Sequence, residues 1–229
     1  MSEWFPATVA ESPRGRSTML ELALNVPHEL ASAFQRPGQY HRVRIDHEDK
    51  PFAIASAPGH SRFEYLVRRA PGLAERWVCL EAGATVHVSR PHGPGFPLEH
   101  ARGRSLALVA AGTGFAPIRS VLESVADERD AYGAVRALVG VRTELDLSCW
   151  KRELARWERL GIFVHHVISQ PNGHWSGRAG HVQEHLDTLA LVEDGVAFLC
   201  GQREMVADVR AALTMRGLGT ERVFLNLPA

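Results

Sequence analysis

The chain has 229 residues, 45% hydrophobic and 23% charged, with 26 basic side chains against 26 acidic ones. That length gives room for one large or two modest domains with their own cores, and a net charge of zero gives bulk electrostatics no reason to bring nucleic acid or an anionic membrane to the chain. No run is long enough to span a bilayer, and the start from Met1 to Pro6 has an early acid and no signal-like apolar segment, so a cytoplasmic protein is expected.

Residues 1–101 read as β structure. Thr18, Leu20, Leu22, Leu24 and Val26 alternate with Ser17, Met19, Glu21, Ala23 and Asn25, the two-residue period of a half-buried strand. Further strands are expected at Phe5 to Ala10, Gln39 to Asp46, Phe52 to Ala57, Arg62 to Arg68 and Ala84 to Ser89, separated by turns such as Arg36-Pro37-Gly38, Ala57-Pro58-Gly59 and Ala70-Pro71-Gly72. Short strands at this spacing predict a small antiparallel barrel, interrupted by one helix from about Leu73 to Leu80.

Beyond Pro91-His92-Gly93-Pro94-Gly95-Phe96-Pro97 the pattern changes to apolar runs alternating with helical spacing. Strands are expected at Ser105 to Ala111, Val135 to Val141, Ile162 to Ile168, Val196 to Cys200 and Arg222 to Leu227, with helices near 116–128, 147–160, 181–190 and 203–216. This alternation predicts a doubly wound parallel sheet over residues 102–229.

The first of these strands, Ser105 to Ala111, is an unbroken apolar run that meets Gly112-Thr113-Gly114, with Pro117 in what should be the first turn of the next helix. A strand buried on both faces carries ligands at its carboxyl end. Glycines there let a phosphate approach backbone amides, and the helix start adds its positive end. Two glycines in a turn are also plain geometry, so the motif alone does not decide the matter.

Three scattered cysteines, Cys79, Cys149 and Cys200, give neither a disulfide framework nor a four-cysteine iron–sulfur site, so electrons leaving this chain would need a partner that carries the cluster. His181 and His185 lie one helical turn apart and His165-His166 fall in an apolar strand, but no third ligand recurs at a diagnostic spacing and no metal is expected.

The order of Arg36-Pro37-Gly38-Gln39-Tyr40, the block from Lys50 to Pro58, Gly93-Pro94, Gly112 to Pro117 and Cys200-Gly201 resembles the ferredoxin-NADP reductase family along almost the whole chain. The resemblance implies a six-stranded antiparallel Greek-key barrel holding FAD, followed by an NAD(P)-binding α/β domain. It also implies hydride passage from nicotinamide to flavin N5, with the cofactors carrying the chemistry.

Carried over by residue, the family's Arg-x-Tyr-Ser flavin motif reads Lys50-Pro51-Phe52-Ala53, with Ile54 following. Lysine keeps charge without the bidentate fork, phenylalanine keeps a stacking face without a hydroxyl, and alanine at the N5 position offers no hydrogen bond. The second flavin motif reads Gly72-Leu73-Ala74-Glu75, where Glu75 would stand near a dianion. Val67 and Arg68 fall on the strand whose backbone receives the isoalloxazine edge, and Arg68 or Arg69 could replace the charge lost at position 50.

On the nicotinamide side, the resemblance assigns Gly112, Thr113, Gly114 and Pro117 to the pyrophosphate and Cys200 with Gly201 to the nicotinamide. Arg142 and Arg178 are candidates for a 2′-phosphate, but Gln170 stands where NADPH-selective relatives often carry arginine, which tips the expectation toward NADH. The tail from Arg222 to Leu227 has no terminal aromatic to cover the flavin face, which leaves that face open or covered by a partner. The expected function is NAD(P)H-dependent reduction of FAD with delivery to a separate acceptor protein or small molecule. The alternatives are a flavin-less or weakly flavin-binding nucleotide-binding, regulatory subunit and a flavin reductase that uses flavin as substrate.

Overall fold

The computed structural model describes residues 3–11, 13, 17–191 and 194–226, except for the side chains of 148, 149, 151 and 152. In chain order the first half contains β1 (Phe5–Glu11), β2 (Met19–Asn25), α1 (His28–Ala33), β3 (Tyr40–Ile45), β4 (Glu48–Ala53), β5 (Arg62–Arg68), α2 (Leu73–Val78) and β6 (Thr85–Val88). The strands form one antiparallel sheet in the order β4-β3-β6-β1-β2-β5. Just beyond β4, Ala55 N donates to Glu64 O of β5 at 2.7 Å, which draws the two edges together into a nearly closed Greek-key barrel. Phe63, Tyr65 and Val67 point inward with Leu20, Leu22 and Leu24, and Trp77 of α2 plugs the interior.

The other face of β2 and β5 is not solvent. Met19 and Leu66 are buried in an apolar cluster shared with Phe115, Ile118 and Trp150 of the second half. The polar positions of the β2 alternation are therefore an interface, which is why methionine and glutamate are found there.

The second half contains β7 (Leu106–Ala111), α3 (Phe115–Asp127), β8 (Val135–Val141), α4 (Lys151–Arg159), β9 (Ile162–Ile168), β10 (Arg178–Ala179), β11 (Val196–Cys200), α5 (Arg203–Met215) and β12 (Val223–Leu225). All neighbours pair in parallel, in the order β10-β9-β8-β7-β11-β12. The winding direction reverses between β7 and β11, and in open sheets of this kind ligands bind at that crevice, outside the strand carboxyl ends.

Four expectations need correction. The fourth strand starts at Glu48, not Phe52, because Glu48, Asp49 and Lys50 pair with Ile45, Arg44 and Val43 at the sheet edge. The helix expected over 181–190 is a pair of 3₁₀ turns, Val182–Leu189, broken at His185 (φ −125°). The apolar spacing there reflects burial of Val182, Leu186 and Leu189 without a continuous hydrogen-bond ladder, so His181 and His185 do not share a helix face. The helix near 147–160 begins as a 3₁₀ segment, Glu144–Trp150, and α1 and β10 were not expected. The end of the last expected strand, at Leu227, lies outside the described residues.

Polar clamps add to the apolar contact between the halves. Arg119 of α3, whose side chain is 3% exposed, lies 2.6 Å from Glu64 of β5 and 3.3 Å from Glu153 of α4. It is also 2.7 Å from Glu21 of β2, close enough for an ion pair though not aligned as a hydrogen bond. Ser120 Oγ donates to Ser56 O at 2.7 Å. The buried Asp146 carboxylate accepts from Ser17 Oγ at 2.9 Å and Thr18 Oγ1 at 3.0 Å. Among the described residues no helix is long and apolar enough to cross a membrane, and no group of three or more His, Cys, Asp or Glu could hold a metal ion.

Candidate functional site

A cleft of about 890 Å³ opens between the two halves at the β7/β11 crevice. Phe52, Ala53, Val67 and Arg68 line its barrel side, while Gly112, Thr113, Gly114, Pro117, Arg142, Cys200 and Gly201 line the opposite side.

On the parallel-sheet side, Gly112 has φ +57°, the left-handed conformation that favours glycine. Gly114 is glycine for a reason the sequence does not display. A Cβ there would sit 2.5 Å from the carbonyl oxygen of Cys200 and 2.7 Å from its carbon, so its absence lets the end of β11 press against the turn. No side chain caps α3, and Gly114, Ala116 and Pro117 at its start line the cleft, which sets the positive helix end against it. Pro117, the third residue of α3, gives up an N–H that no helical carbonyl would have used. Burial pushes the Cys200 thiol up to about 12, so it presents a small neutral group to the cleft.

On the barrel side, strand alternation sets the geometry. Arg69 N donates to Thr18 O in the direction of β2, while Glu64 O accepts from Ala55 on the other edge. Backbone groups alternate along an antiparallel strand, so the N–H and C=O of Leu66 and Arg68 point away from β2 at the cleft-lining edge. The same alternation turns the side chains of Glu64, Leu66 and Arg68 toward the second half. Glu64 meets Arg119, Leu66 enters the shared core, and the Arg68 guanidinium comes within 3.3 Å of where a Gly112 Cβ would stand. The Arg68 guanidinium thus lies against the Gly112 turn.

Lys50, Gly72, Ala74 and Glu75 do not line the cleft. Lys50 and Gly72 are nevertheless neighbours, since a Cβ on Gly72 would be 3.7 Å from Lys50 Nζ. The cations there are already paired: Lys50 with Glu48 at 3.0 Å, Arg76 with Glu48 at 2.6 Å and Arg69 with Glu75 at 3.3 Å. Hydrogen bonds from Lys50 and Arg76 hold the Glu48 carboxyl below its ordinary range. Ile54 and Leu73 are fully buried and support the wall from inside. The Phe52 ring makes an edge contact with Trp77 at 4.4 Å.

Of the two arginines expected at a 2′-phosphate, Arg142 lines the cleft and donates from Nε to Gln170 Oε1 at 2.8 Å. Arg178 does not line it, and its carbonyl accepts the Trp175 indole at 2.9 Å. Tyr40, Leu66, Glu204, Asp208 and Asn226 also line the cleft; Tyr40 falls in the Arg36-Pro37-Gly38-Gln39-Tyr40 motif, but sequence reading gave none of the five a site role. Asn226 Nδ2 donates to Gly38 O at 2.6 Å, a bond across 188 residues that no local pattern announces.

The profile of the family described as Oxidoreductase NAD-binding domain matches residues 108–211. Ferredoxin--NADP reductase B of Sorangium cellulosum is 34% identical over 195 residues, covering 78% of this chain and 76% of that protein. The chain belongs to the ferredoxin-NADP reductase family. Another relative within reach of this ferredoxin-NADP reductase family member is the Sulfhydrogenase 1 subunit gamma of Pyrococcus furiosus, 32% identical over 87% of this chain and 70% of that subunit. The Anthranilate 1,2-dioxygenase electron transfer component of Acinetobacter baylyi is 30% identical over 82% of this chain but only 56% of its own length. Among solved structures, a ferredoxin NADP+ reductase from Neisseria gonorrhoeae with bound FAD and NADP superposes with a TM-score of 0.83 at 18% identity, covering 99% of both chains. That likeness is one of fold, and it agrees with the barrel and parallel sheet described above.

Proposed function

We propose that this ferredoxin-NADP reductase family member is an NAD(P)H-dependent FAD oxidoreductase that passes electrons to a separate acceptor. The observation that carries the reading is that the backbone edge of Leu66 and Arg68 and the Gly112–Gly114 turn open into one cleft from opposite sides. Residues 1–101 would form the FAD domain and residues 102–229 the NAD(P) domain. In this reading the β5 edge at Leu66 and Arg68 receives the isoalloxazine, and Phe52 and Ala53 form the wall beside it. Lys50 and the α2 start from Gly72 to Glu75 hold the FAD pyrophosphate.

The dinucleotide pyrophosphate lies on Gly112, Thr113, Gly114 and the positive start of α3, with Arg68 reaching in from the barrel. Cys200 and Gly201, which leave space and bring no charge, flank the nicotinamide. When bound, FAD supplies a two-electron acceptor that can also serve one-electron partners. The protein's part is to align the two rings and exclude water. NADH is the favoured donor: Gln170 occupies the Arg142 guanidinium, and the Glu204 and Asp208 carboxylates line the same cleft, where a further dianion would be repelled.

A second reading is favoured by the ion pairs that neutralise Lys50 and Arg69: a member of the fold that binds flavin loosely, as a regulatory subunit or as a reductase for which flavin is a substrate. Calorimetric titration of the purified protein with FAD and with NAD(H) separates them. Stoichiometric FAD uptake supports the proposal, saturable NADH-driven turnover of free flavin supports the substrate role, and nucleotide binding without any flavin binding overturns the proposal and favours the regulatory subunit.

A further inference from the structure

We propose that Tyr40 is the aromatic side chain that lies against the bound isoalloxazine ring. This rests on the FAD reading above and adds a residue to it. Tyr40 and Ala53 are directly opposed across the β3/β4 ladder, so their side chains leave the sheet on the same face. The next pair, His41 and Phe52, leaves on the other. His41 is fully buried, its Nδ1–H donating to Ser89 O at 2.5 Å, and Phe52 is engaged edge-on with Trp77. Tyr40 and Ala53 both line the cleft, where alanine leaves beside the phenol the room that a larger residue would fill.

The Tyr40 ring is held in place from behind. Tyr40 N donates to His92 O at 3.1 Å, and His92 N donates back to Tyr40 O at 2.8 Å. The His92 imidazole sits 5.7 Å from the phenol, centroid to centroid. Gly93, at φ +88°, clears the rest, since a Cβ there would come within 3.3 Å of Tyr40 Cε1. Among the described residues no hydrogen bond is made by the Tyr40 hydroxyl. A rigid, half-exposed aromatic face backed by protein on one side is suited to take a planar ring on the other.

The test is the fluorescence of flavin bound to wild type, Tyr40→Phe and Tyr40→Ala, each titrated with FAD, with circular dichroism and NADH binding as checks on folding. A tyrosine in contact with isoalloxazine quenches its emission by electron transfer, whereas phenylalanine does not. Both variants should therefore show emission several-fold brighter than wild type. Tyr40→Phe should hold FAD nearly as tightly, and Tyr40→Ala about tenfold less tightly. Wild type and both variants binding FAD with equal, unquenched emission would overturn the assignment of Tyr40 and leave the proposed function standing. Wild type taking up no FAD would overturn both.

Discussion

Gly114 and Cys200 touch so closely that a single methyl group on the glycine would stand 2.5 Å from the Cys200 carbonyl oxygen. The turn after β7 and the end of β11 are thereby fixed against each other, and with them the two sides of the dinucleotide crevice. Gly114→Ala should force the backbone of residues 200–201 outward at a cost of about 1–3 kcal/mol. The measurement is the melting temperature together with KM for NADH, and the variant should lower the first and raise the second. Gly112→Ala should cost roughly 1 kcal/mol through its left-handed conformation while leaving β11 in place.

Arg68 faces the Gly112 turn, and Lys50 faces Glu48. The two cations should therefore fail differently when removed. Arg68→Gln should raise KM for NADH about tenfold with little change in FAD affinity, a loss of the size expected for one charge-assisted contact to phosphate. Glu48→Gln should tighten FAD several-fold by releasing Lys50 and Arg76, and adding salt should shrink that gain. Steady-state kinetics and flavin titration of the two variants check the assignment.

The acid cluster around Arg119 makes the joint between the halves sensitive to pH. Glu21 is raised from 4.5 to about 7, by burial first and then by Glu153, Glu64 and Glu11, against the pull of Arg119; Arg62 also faces this group through Glu11 and Glu64. A carboxyl whose folded pKa lies above its unfolded value binds more protons when folded, so its contribution to stability falls as pH rises from 4.5 to about 7. The side chain is 38% exposed, and solvent screening brings the effect to about 1 kcal/mol. Glu21→Gln should be more stable than wild type above pH 7 and should lose this slope.

His41 and His166 act in the opposite sense. Burial lowers both to about 4, so the stability they lend is present above pH 6.5 and is lost as pH falls toward 4. Denaturant melts of wild type and Glu21→Gln across this range show both limbs, and a Glu21→Gln curve parallel to wild type would remove the role given to Glu21.

Much of this was legible in the sequence where one element's pattern is set by its own neighbours. The expected bounds at Arg62–Arg68, Val135–Val141, Ile162–Ile168 and Val196–Cys200 coincide with β5, β8, β9 and β11, because apolar runs flanked by turns fix both ends. What depended on a second element was not legible. The alternation of β2 identified two faces but not that Glu21 would meet Arg119, and the glycine at 114 gave no sign that Cys200 would fill its space. Tyr40 stood in a quoted motif but gained a place in the cleft only through its register with Ala53, and α1 was missed because six residues carry too little periodicity to stand out. The segment from Val182 to Leu189 shows the converse, a helical apolar spacing produced by burial against the sheet while the backbone breaks at His185.

The central claim is that the cleft brings a flavin and a nicotinamide together. It is tested most directly by anaerobic titration of the FAD-loaded protein with NADH, followed through the visible flavin absorption. The account predicts that one equivalent of NADH bleaches the bound flavin and that adding an electron acceptor restores the colour. Protein that takes up FAD and NADH but leaves the absorption unchanged, or that takes up no FAD, would contradict it.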